Sequence, residues 1–164
     1  MRSRQAILTL GFIMGTLLMS SCVPGVQTVV QAPQFSLRGE LQLVSFEPPL
    51  LGAGQVVFRV PLEVYNPNDF EASLSRIDFD FFVNNRLALS SAFSEGISLK
   101  AKASSPLGLA VTIPLSSGIA LISDISNLIA GQQTLFHLDG RVTIDVFGVA
   151  KIFAKTTLVS GQVN

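Results

Sequence analysis

The sequence contains no tryptophan, and it has only one tyrosine, one histidine and one cysteine. A single cysteine cannot form a disulfide within the chain, and it cannot supply the several thiolates of a metal cluster. His137 is the only imidazole that a histidine-dependent catalytic site would have. These absences exclude disulfide-stabilised scaffolds and thiolate metal centres.

Charged residues are also scarce, because they make up 13% of the 164 residues, against about 25% in an average globular protein. There are 11 Lys and Arg against 11 Asp and Glu. No stretch is rich in basic residues, so nucleic-acid binding has no support. Apolar residues reach 48%, which excludes a disordered polar chain. A chain of this length is expected to form one domain.

Residues 1–21 have the pattern of a secretory signal peptide. Arg2 and Arg4 give a positive start, and residues 6–19 are apolar apart from small or hydroxyl residues. This stretch of about 14 residues is shorter than the roughly 20 that span a bilayer, and it matches the apolar region of a signal peptide. Removal of residues 1–21 would leave a slight acidic excess in the mature chain.

The end of this segment reads LLMSSC and resembles the lipobox of bacterial lipoproteins. In a lipobox, small residues such as Ser20 and Ser21 precede a cysteine that is lipidated and becomes the new N-terminus. Met19 departs from the pattern, because leucine is usual at that position. The resemblance implies that Cys22 carries acyl chains, palmitate among them, which bind the protein firmly to a membrane. The alternative is an ordinary signal peptide in which Cys22 is incidental.

Residues 22–34 contain Pro24, Gly25 and Pro33 and show no clean hydrophobic period. We expect them to be the lipidated N-terminus and a tether to a folded domain that spans residues 35–160. A protein anchored in this way lies in the bacterial cell envelope and faces outside the cytoplasm. Val23 stands where aspartate would signal retention in the inner membrane, which favours the outer membrane if the organism has one.

Residues 55–65 predict a long strand with one buried face, because apolar and other side chains alternate over about ten residues. The inward set is Val56, Phe58, Val60, Leu62 and Val64. The strand then meets Asn66-Pro67-Asn68. Pro67 fixes its own φ and holds Asn66 extended, and Asn68 favours a turn. The pattern therefore predicts a buried strand that ends in a fixed corner.

Similar alternation recurs along the chain and predicts seven or eight strands in total. These fall at residues 35–43, 55–65, 76–83, 86–92, 107–115, 134–145 and 151–159, with a short strand within 94–105. Asn84-Asn85 and Phe147-Gly148 are expected to form tight turns. Repeated antiparallel signals at short spacing favour an all-β protein, an antiparallel β-sandwich.

Residues 117–130 break the strand pattern and predict one short amphipathic helix. Ser116 or Ser117 can cap its start, and Gly131 can end it. A helix that lies on a membrane carries lysine and arginine on its polar face, and this one carries neither. We therefore expect it to pack on the sheet.

The Asn66-Pro67-Asn68 corner, the charged and aromatic strand after it and the late helix resemble the late-embryogenesis-abundant type 2 family. That family contains the water-stress and hypersensitive-response (WHy) domain. The resemblance covers residues 35–159 and implies an immunoglobulin-like or fibronectin-III-like β-sandwich with a helix. It also implies a role in protecting proteins or membranes under stress. Only Asn66, Pro67 and Asn68 match residues of the family's motif, and the resemblance implies a structural role for them.

Two groups of side chains are the candidate sites for other chemistry. A Ser-His-Asp arrangement would need a carboxylate and a serine beside His137, but no serine stands in a nucleophile motif, so a solvated surface residue is the favoured interpretation. Asp78 and Asp80 share a strand face and could bind calcium with Glu63, Asp69 or Glu71. They lack the loop spacing of such sites, and charge pairing that involves Arg76 is favoured instead. The short Gly52-Ala53-Gly54 stretch indicates a turn and not a phosphate loop.

We therefore expect a non-enzymatic, lipid-anchored envelope protein that protects proteins or membranes during desiccation or other stress. Its partners are the membrane, through Cys22, and stress-labile proteins; no cofactor, metal, nucleic acid or small-molecule substrate is expected. Two alternatives remain open. One is an envelope interaction module that binds a specific partner protein, and the other is a sandwich that opens to hold a lipid.

Overall fold

The computed structural model describes residues 29–49, 54–116 and 119–163. These residues form ten strands and one helix. In chain order they are β1 (Gln34–Leu37), β2 (Gln42–Glu47), β3 (Gln55–Tyr65), β4 (Ala72–Val83), β5 (Arg86–Phe93), β6 (Ile97–Leu99), β7 (Ser104–Pro114), α1 (Ile119–Ile129), β8 (Thr134–Val146), β9 (Val149–Ile152) and β10 (Thr156–Val163). Cys22, the expected signal peptide and the first part of the expected tether lie outside the described residues.

The first sheet is built around β3, whose buried and outward side chains alternate along the whole strand. β7 pairs with β3 antiparallel along its whole length. On the other side of β3, β1 pairs with its C-terminal part and β2 with its N-terminal part. β3 therefore has neighbours on both sides, whereas β1, β2 and β7 are edge strands of this sheet.

The second sheet is built around β4 and β8, which pair antiparallel over most of their length. β4 pairs on its other side with β5 and β6. β8 is 13 residues long, and its other side pairs first with β10 and then with β9. All the strand pairs in both sheets are antiparallel, so the all-β class with one short helix is confirmed.

The inward faces of the two sheets meet in one apolar core, as the alternation predicts. The inward residues of β3 are all buried, and so are the predicted inward residues of the strands at 76–83, 107–115 and 134–145. In this core a fully buried aliphatic or aromatic side chain contributes roughly 1.5–3 kcal/mol relative to its exposed state. Hydrophobic burial of these four strands holds the two sheets together.

The strand predicted at residues 35–43 is wrong as a single element. The structure divides it into β1 and β2, with Gly39 at a φ of 150° between them. Leu37 is half-buried, but Leu43 is exposed. Because the chain turns at Gly39 and re-pairs further along β3, the side-chain alternation does not carry across the break.

The strand predicted at residues 151–159 is also wrong as a single element. The structure has β9 and β10 there, separated by a three-residue step. β9 forms a hairpin with the C-terminal part of β8, and the chain then moves to the N-terminal part of the same strand. The length of β8 leaves room for two partners in succession, which local alternation cannot reveal. These divisions make ten strands among the described residues instead of seven or eight.

α1 packs against the second sheet, as expected from its apolar face, with Leu121, Ile125 and Leu128 buried. Gly131 follows the helix at a φ of 66° and ends it in the predicted way. The cap predicted at Ser117 lies outside the described residues. Within the described part of the chain, no helix has the length and apolar character to cross a membrane.

The strand registers define two ends of the sandwich. At the corner end lie residues 66–70, the start of β7 and the β8–β9 turn, because Tyr65 pairs with Ser104 and Ser73 pairs with Asp145. At the helix end lie α1, the β4–β5 turn and the start of β8.

Candidate functional site

Asn66 is buried at the corner, and its side-chain amide is fully used in hydrogen bonds. Its Nδ2 donates to the carbonyl oxygens of Phe70 and Leu99, each at 2.9 Å. Its Oδ1 accepts from the backbone N–H and the side-chain Nδ2 of Asn68, at 3.0 and 2.9 Å. The turn after Pro67 thereby brings the two asparagines together, and it is Asn66 that joins the corner to the end of β6.

Asn68 is also buried, and it bonds the described end of the expected tether. Its Nδ2 donates to the carbonyl oxygen of Gln31 at 3.0 Å, and its Oδ1 accepts from the Gln31 N–H at 2.8 Å. These two reciprocal bonds resemble the paired backbone bonds between two strands, with the side-chain amide of Asn68 in the place of one peptide group. The chain therefore leaves the corner end at a defined point, beside the Asn-Pro-Asn motif.

Lys102 closes the other side of the corner, from the loop between β6 and β7. Its Nζ donates to the carbonyl oxygen of Pro67 at 2.6 Å and lies 3.0 Å from Oδ1 of Asp69. Its backbone N–H donates to the carbonyl oxygen of Asn68 at 3.1 Å. The corner, the tether and this loop are thus tied together by polar bonds, which suits a rigid joint and offers no reactive group.

The predicted acidic pair, Asp78 and Asp80, lies in an open groove of about 540 Å³ on the outer face of the second sheet. Arg76 Nε donates to Asp78 at 2.8 Å, and Arg141 is opposite Asp78 on β8. The hydrogen bond from Arg76, then the charges of Arg76 and Arg141, lower the pKa of Asp78.

Asp80 is held in the same way within this groove. Lys155 Nζ pairs with its Oδ2, and Ser90 Oγ donates to its Oδ1 at 2.5 Å. The hydrogen bond from Lys155, then that from Ser90, lower the pKa of Asp80. Both carboxylates are therefore paired with cations of the same chain, Asp78 with Arg76 along β4 and Asp80 with Lys155 in the segment between β9 and β10.

The other acids considered as calcium ligands do not join this pair. Asp69 pairs with Lys102, and Glu71 accepts from Ser98 Oγ at 2.7 Å. Among the described residues, no three His, Cys, Asp or Glu side chains converge in a group that could hold a metal ion. The arrangement of acids on this face is that of a charged, internally paired sheet surface.

His137 is half-buried on the outward face of β8, and its ring stacks on that of Phe82 with centroids 4.5 Å apart. Asp139, on the same face, accepts from Thr157 Oγ1 at 2.7 Å. In the described part of the chain, no carboxylate or serine hydroxyl is hydrogen-bonded to His137. Its contact with Phe82 is a packing contact that the strand pattern did not indicate.

Sequence reasoning missed two exposed apolar surfaces. One is on β2, where Leu43, Val44 and Phe46 are each 45–54% exposed. The other is at the β8–β9 turn, around Phe147 and Val149. The signals for the first were Gly39 and the two prolines after Glu47, which isolate a short edge strand. The signal for the second was a phenylalanine in a turn, where asparagine or glycine is usual.

The family model of the late embryogenesis abundant proteins matches residues 61–158. This match spans more than half of the chain and includes the Asn-Pro-Asn corner, β4 to β9 and α1. The chain belongs to the late embryogenesis abundant family. Membership makes it a stress-related protein of the late embryogenesis abundant type, and the family is generally non-enzymatic. β1 and β2 lie outside the matched residues.

Solved structures resemble this late embryogenesis abundant protein in fold. The solution structure of a protein from Arabidopsis thaliana has a TM-score of 0.60 and 20% identity, and the match covers 87% of each chain. The crystal structure of a protein from Archaeoglobus fulgidus has a TM-score of 0.47 and 12% identity, over 77% of this chain and 95% of that chain. No curated protein matches at a significant level.

Proposed function

We propose that this late embryogenesis abundant protein is a lipid-anchored, non-enzymatic protective domain on the outer side of a bacterial membrane. Family membership supports the stress-related role, and the LLMSSC segment before Val23 supports the anchor on Cys22. Anchoring concentrates the domain at the surface where it acts. Its clients in this proposal are proteins that lose structure during drying or a related stress, and the WHy-type protective activity would reside in the sandwich.

The exposed apolar face of β2 is the observation that carries the protective role. β2 is an edge strand, and Leu43, Val44 and Phe46 all leave about half of their surface in water. A free strand edge offers unpaired backbone groups, and apolar side chains next to it can cover the apolar segments of a partly unfolded neighbour. The folded domain thereby presents a ready-made surface for such segments.

A register shift between Leu43 and Ser45 interrupts the pairing of β2 with β3. Bulges of this kind twist an edge strand and reduce its tendency to pair with a copy of itself. A protein that binds many clients weakly and reversibly needs such an interrupted edge strand, because a long, flat edge strand would pair with copies of itself and the protein would polymerise. The low content of charged side chains, 13%, also favours broad and unselective contact.

The protective role is tested by drying a labile enzyme with the mature chain, which carries Cys22→Ser so that no lipid takes part. The control is an inert globular protein at equal mass. We expect clearly more recovered enzyme activity with the chain than with the control. Recovery equal to the control would contradict direct protection.

The anchor is tested separately, by mass spectrometry of the N-terminal peptide from the chain expressed in a bacterium that processes lipoproteins. We expect a peptide that begins at Cys22 and carries acyl chains. In the matched Cys22→Ser chain, the acyl mass and the membrane association should both disappear. A soluble wild-type chain that is cleaved elsewhere would contradict the anchor and leave the protective role to the drying assay.

The same edge strand also favours the second candidate function, an interaction module for one partner protein. A fixed partner would add a strand to β2 and bury Leu43 and Phe46 permanently. It would then co-purify with the wild-type chain and be lost from a variant with a polar β2, whereas transient clients would not co-purify. The lipid-holding alternative has less support. The hollow between β5 and β7 is about 220 Å³, below the roughly 300–1,000 Å³ of ligand pockets, and the hollow of about 330 Å³ between β1 and β10 is open to solvent.

A further inference from the structure

The turn between β8 and β9 exposes a large apolar surface at the corner end. Phe147 is 81% exposed and Ile152 is 69% exposed. All four residues of β9 are exposed, and three of them, Val149, Ala150 and Ile152, are apolar. Phe147 and Val149, which is 56% exposed, line one hollow at the turn, whereas Ile152 is opposite Thr143 at the other end of β9. Exposed apolar side chains grouped at a turn are unusual for a surface that faces only water.

Phe147 is also in a backbone conformation that does not suit it. Its φ is 52° and that of Gly148 is 79°, which are values of a tight hairpin turn that favours asparagine or glycine at both positions. The β4–β5 turn of the same chain meets this requirement with Asn84 and Asn85, at 45° and 62°. A bulky residue at positive φ is strained. Phe147 therefore combines local strain with exposure, and its ring contact with Phe70, at 5.3 Å between centroids, buries little of it.

The position of this hairpin relative to the tether indicates what covers it. Val30 lines the same hollow of about 240 Å³ as Phe147 and Val149, and the next residue, Gln31, is bonded to Asn68. From Cys22 to Val29 there are seven residues, which reach at most about 25 Å when fully extended. A lipid anchor on Cys22 thus keeps the corner end close to the bilayer.

We propose that the β8–β9 hairpin is a membrane-contact tip, with Phe147 and Val149 in the boundary between lipid headgroups and acyl chains. This proposal rests on the proposed anchor at Cys22. Lys151 lines the same hollow as Phe147 and Val149, and it can extend its ammonium group to lipid phosphates while its stem stays in apolar surroundings. Tip contact orients the domain, so that β2 and the helix end face away from the membrane.

The absence of tryptophan from the chain allows a direct test. Phe147→Trp adds a single reporter at the tip, and Leu87→Trp adds a matched reporter at the helix end, where Leu87 is 52% exposed. Each full-length lipidated variant is reconstituted in vesicles of phosphatidylethanolamine and phosphatidylglycerol, with or without bromine atoms on the acyl chains. We expect a blue-shifted emission that brominated lipid quenches for Phe147→Trp, and neither effect for Leu87→Trp.

The outcomes separate this proposal from the anchor on which it rests. A chain that floats with the vesicles but shows no quenching in Phe147→Trp would overturn the membrane-contact tip and leave the anchor intact. A chain without acyl groups on Cys22 would overturn both. Blue-shifted emission that brominated lipid does not quench would show that the tip is covered by residues 23–28 or by a second copy, and it would also overturn the proposal.

A second variant tests whether Phe147 instead serves to stabilise the fold. Phe147→Asn places a favoured residue in the turn, so the thermal unfolding midpoint should stay the same or rise. The brominated lipid should then quench less of a tryptophan introduced by Val149→Trp in the Phe147→Asn background than in the otherwise unchanged chain. A clear fall in the midpoint would show that the ring stabilises the fold through Phe70, and it would overturn the argument from strain.

Discussion

The amide of Asn66 suits its buried position because it must donate and accept at the same time. It donates to the Phe70 and Leu99 carbonyl oxygens and accepts twice from Asn68. A carboxylate could not donate there, and a hydroxyl could not reach four partners. The Asn66-Pro67-Asn68 motif is thus, in this structure, a fully bonded joint between β3, the tether and the β6–β7 loop.

Replacement of Asn66 by alanine should therefore destabilise the domain strongly. Asn66→Ala leaves the Leu99 carbonyl and the Asn68 N–H without these partners, and each unsatisfied buried group costs roughly 1–3 kcal/mol. We expect the free energy of unfolding, from urea titration, to fall by about 3 kcal/mol. Asp69→Ala is the matched control, because it removes only an exposed ion pair, worth about 0–1 kcal/mol. Equal effects of the two variants would contradict a structural role for Asn66.

The pairing of Asp80 in the groove of the second sheet predicts how the free energy of unfolding depends on pH. Lys155 and Ser90 lower the pKa of Asp80 in the folded state, so its pairing stabilises the fold above the unfolded pKa of about 4. That stability is lost as the pH falls through the folded pKa. Asp80→Asn should reduce the free energy of unfolding at pH 7 by about 1 kcal/mol or less, because solvent screens the groove, and by a smaller amount in acid.

The control for this prediction is Glu95→Gln, at an exposed carboxylate in the loop between β5 and β6. It removes a carboxylate that has no ion pair among the described residues, so the free energy of unfolding at pH 7 should stay within about 0.5 kcal/mol of wild type in the same urea titrations. If Asp80→Asn loses more stability in acid than at pH 7, the assigned direction of the pKa shift is wrong.

At the residue scale, the sequence pattern identified the corner but not its partners. Pro67 and the flanking asparagines predict a turn from their own conformational preferences. Gln31 and Lys102 lie 37 and 34 residues from Asn68 along the chain, and nothing in their local sequence indicates that they meet it. Such contacts depend on the arrangement of both sheets, which local preferences do not determine.

At the element scale, long strands with one buried face were predicted well, and short edge strands were not. The alternation in β3, β4, β7 and β8 follows directly from burial of one face. β1, β2 and β9 are exposed or half-exposed on both faces, so burial imposes no alternation on them. The two tight turns were predicted correctly from Asn84-Asn85 and Gly148, which accept positive φ values, although Phe147 does not suit its turn.

The β4–β5 turn is more than a connection, because Asn84 joins three elements at the helix end. Its Oδ1 accepts from the Leu135 N–H at 3.1 Å, and its Nδ2 donates to Asp124 of α1 at 2.9 Å. Arg86 Nε lies 3.1 Å from the other oxygen of Asp124. The helix is therefore fastened to the second sheet by polar bonds as well as by its buried leucines.

Glycine substitutions in the β4–β5 turn should distinguish the role of Asn84 from that of Asn85. Both keep the positive φ that the turn needs, but Asn84→Gly also loses two side-chain hydrogen bonds, each worth about 0.5–1.5 kcal/mol. We expect a loss of about 1–2 kcal/mol in the free energy of unfolding for Asn84→Gly, and a change within about 0.5 kcal/mol for Asn85→Gly. Thermal and urea unfolding measure both; a larger loss for Asn85→Gly would contradict the described role of Asn84.

At the scale of the whole molecule, the proposed membrane attachment and the proposed client-binding surface lie at different places in the fold. The tether leaves from the corner end, beside the proposed membrane-contact tip. β2 pairs with the part of β3 that is far from the corner, so its apolar face lies away from the proposed membrane side. Neither arrangement could be read from the sequence, because both depend on which ends of the strands come together in the fold.

The measurement that tests the account most directly is the drying assay with a polar β2. The mature chain carrying Cys22→Ser is compared with the same chain in which Leu43→Ser, Val44→Ser and Phe46→Ser are combined. The control chain carries Leu87→Ser and Leu135→Ser, which change similarly exposed residues at the helix end. All three must first show similar thermal unfolding midpoints.

The account predicts that the β2 variant loses the excess recovery of the labile enzyme, while the control chain retains it. Equal recovery with all three chains would contradict the claim that the apolar face of β2 protects client proteins.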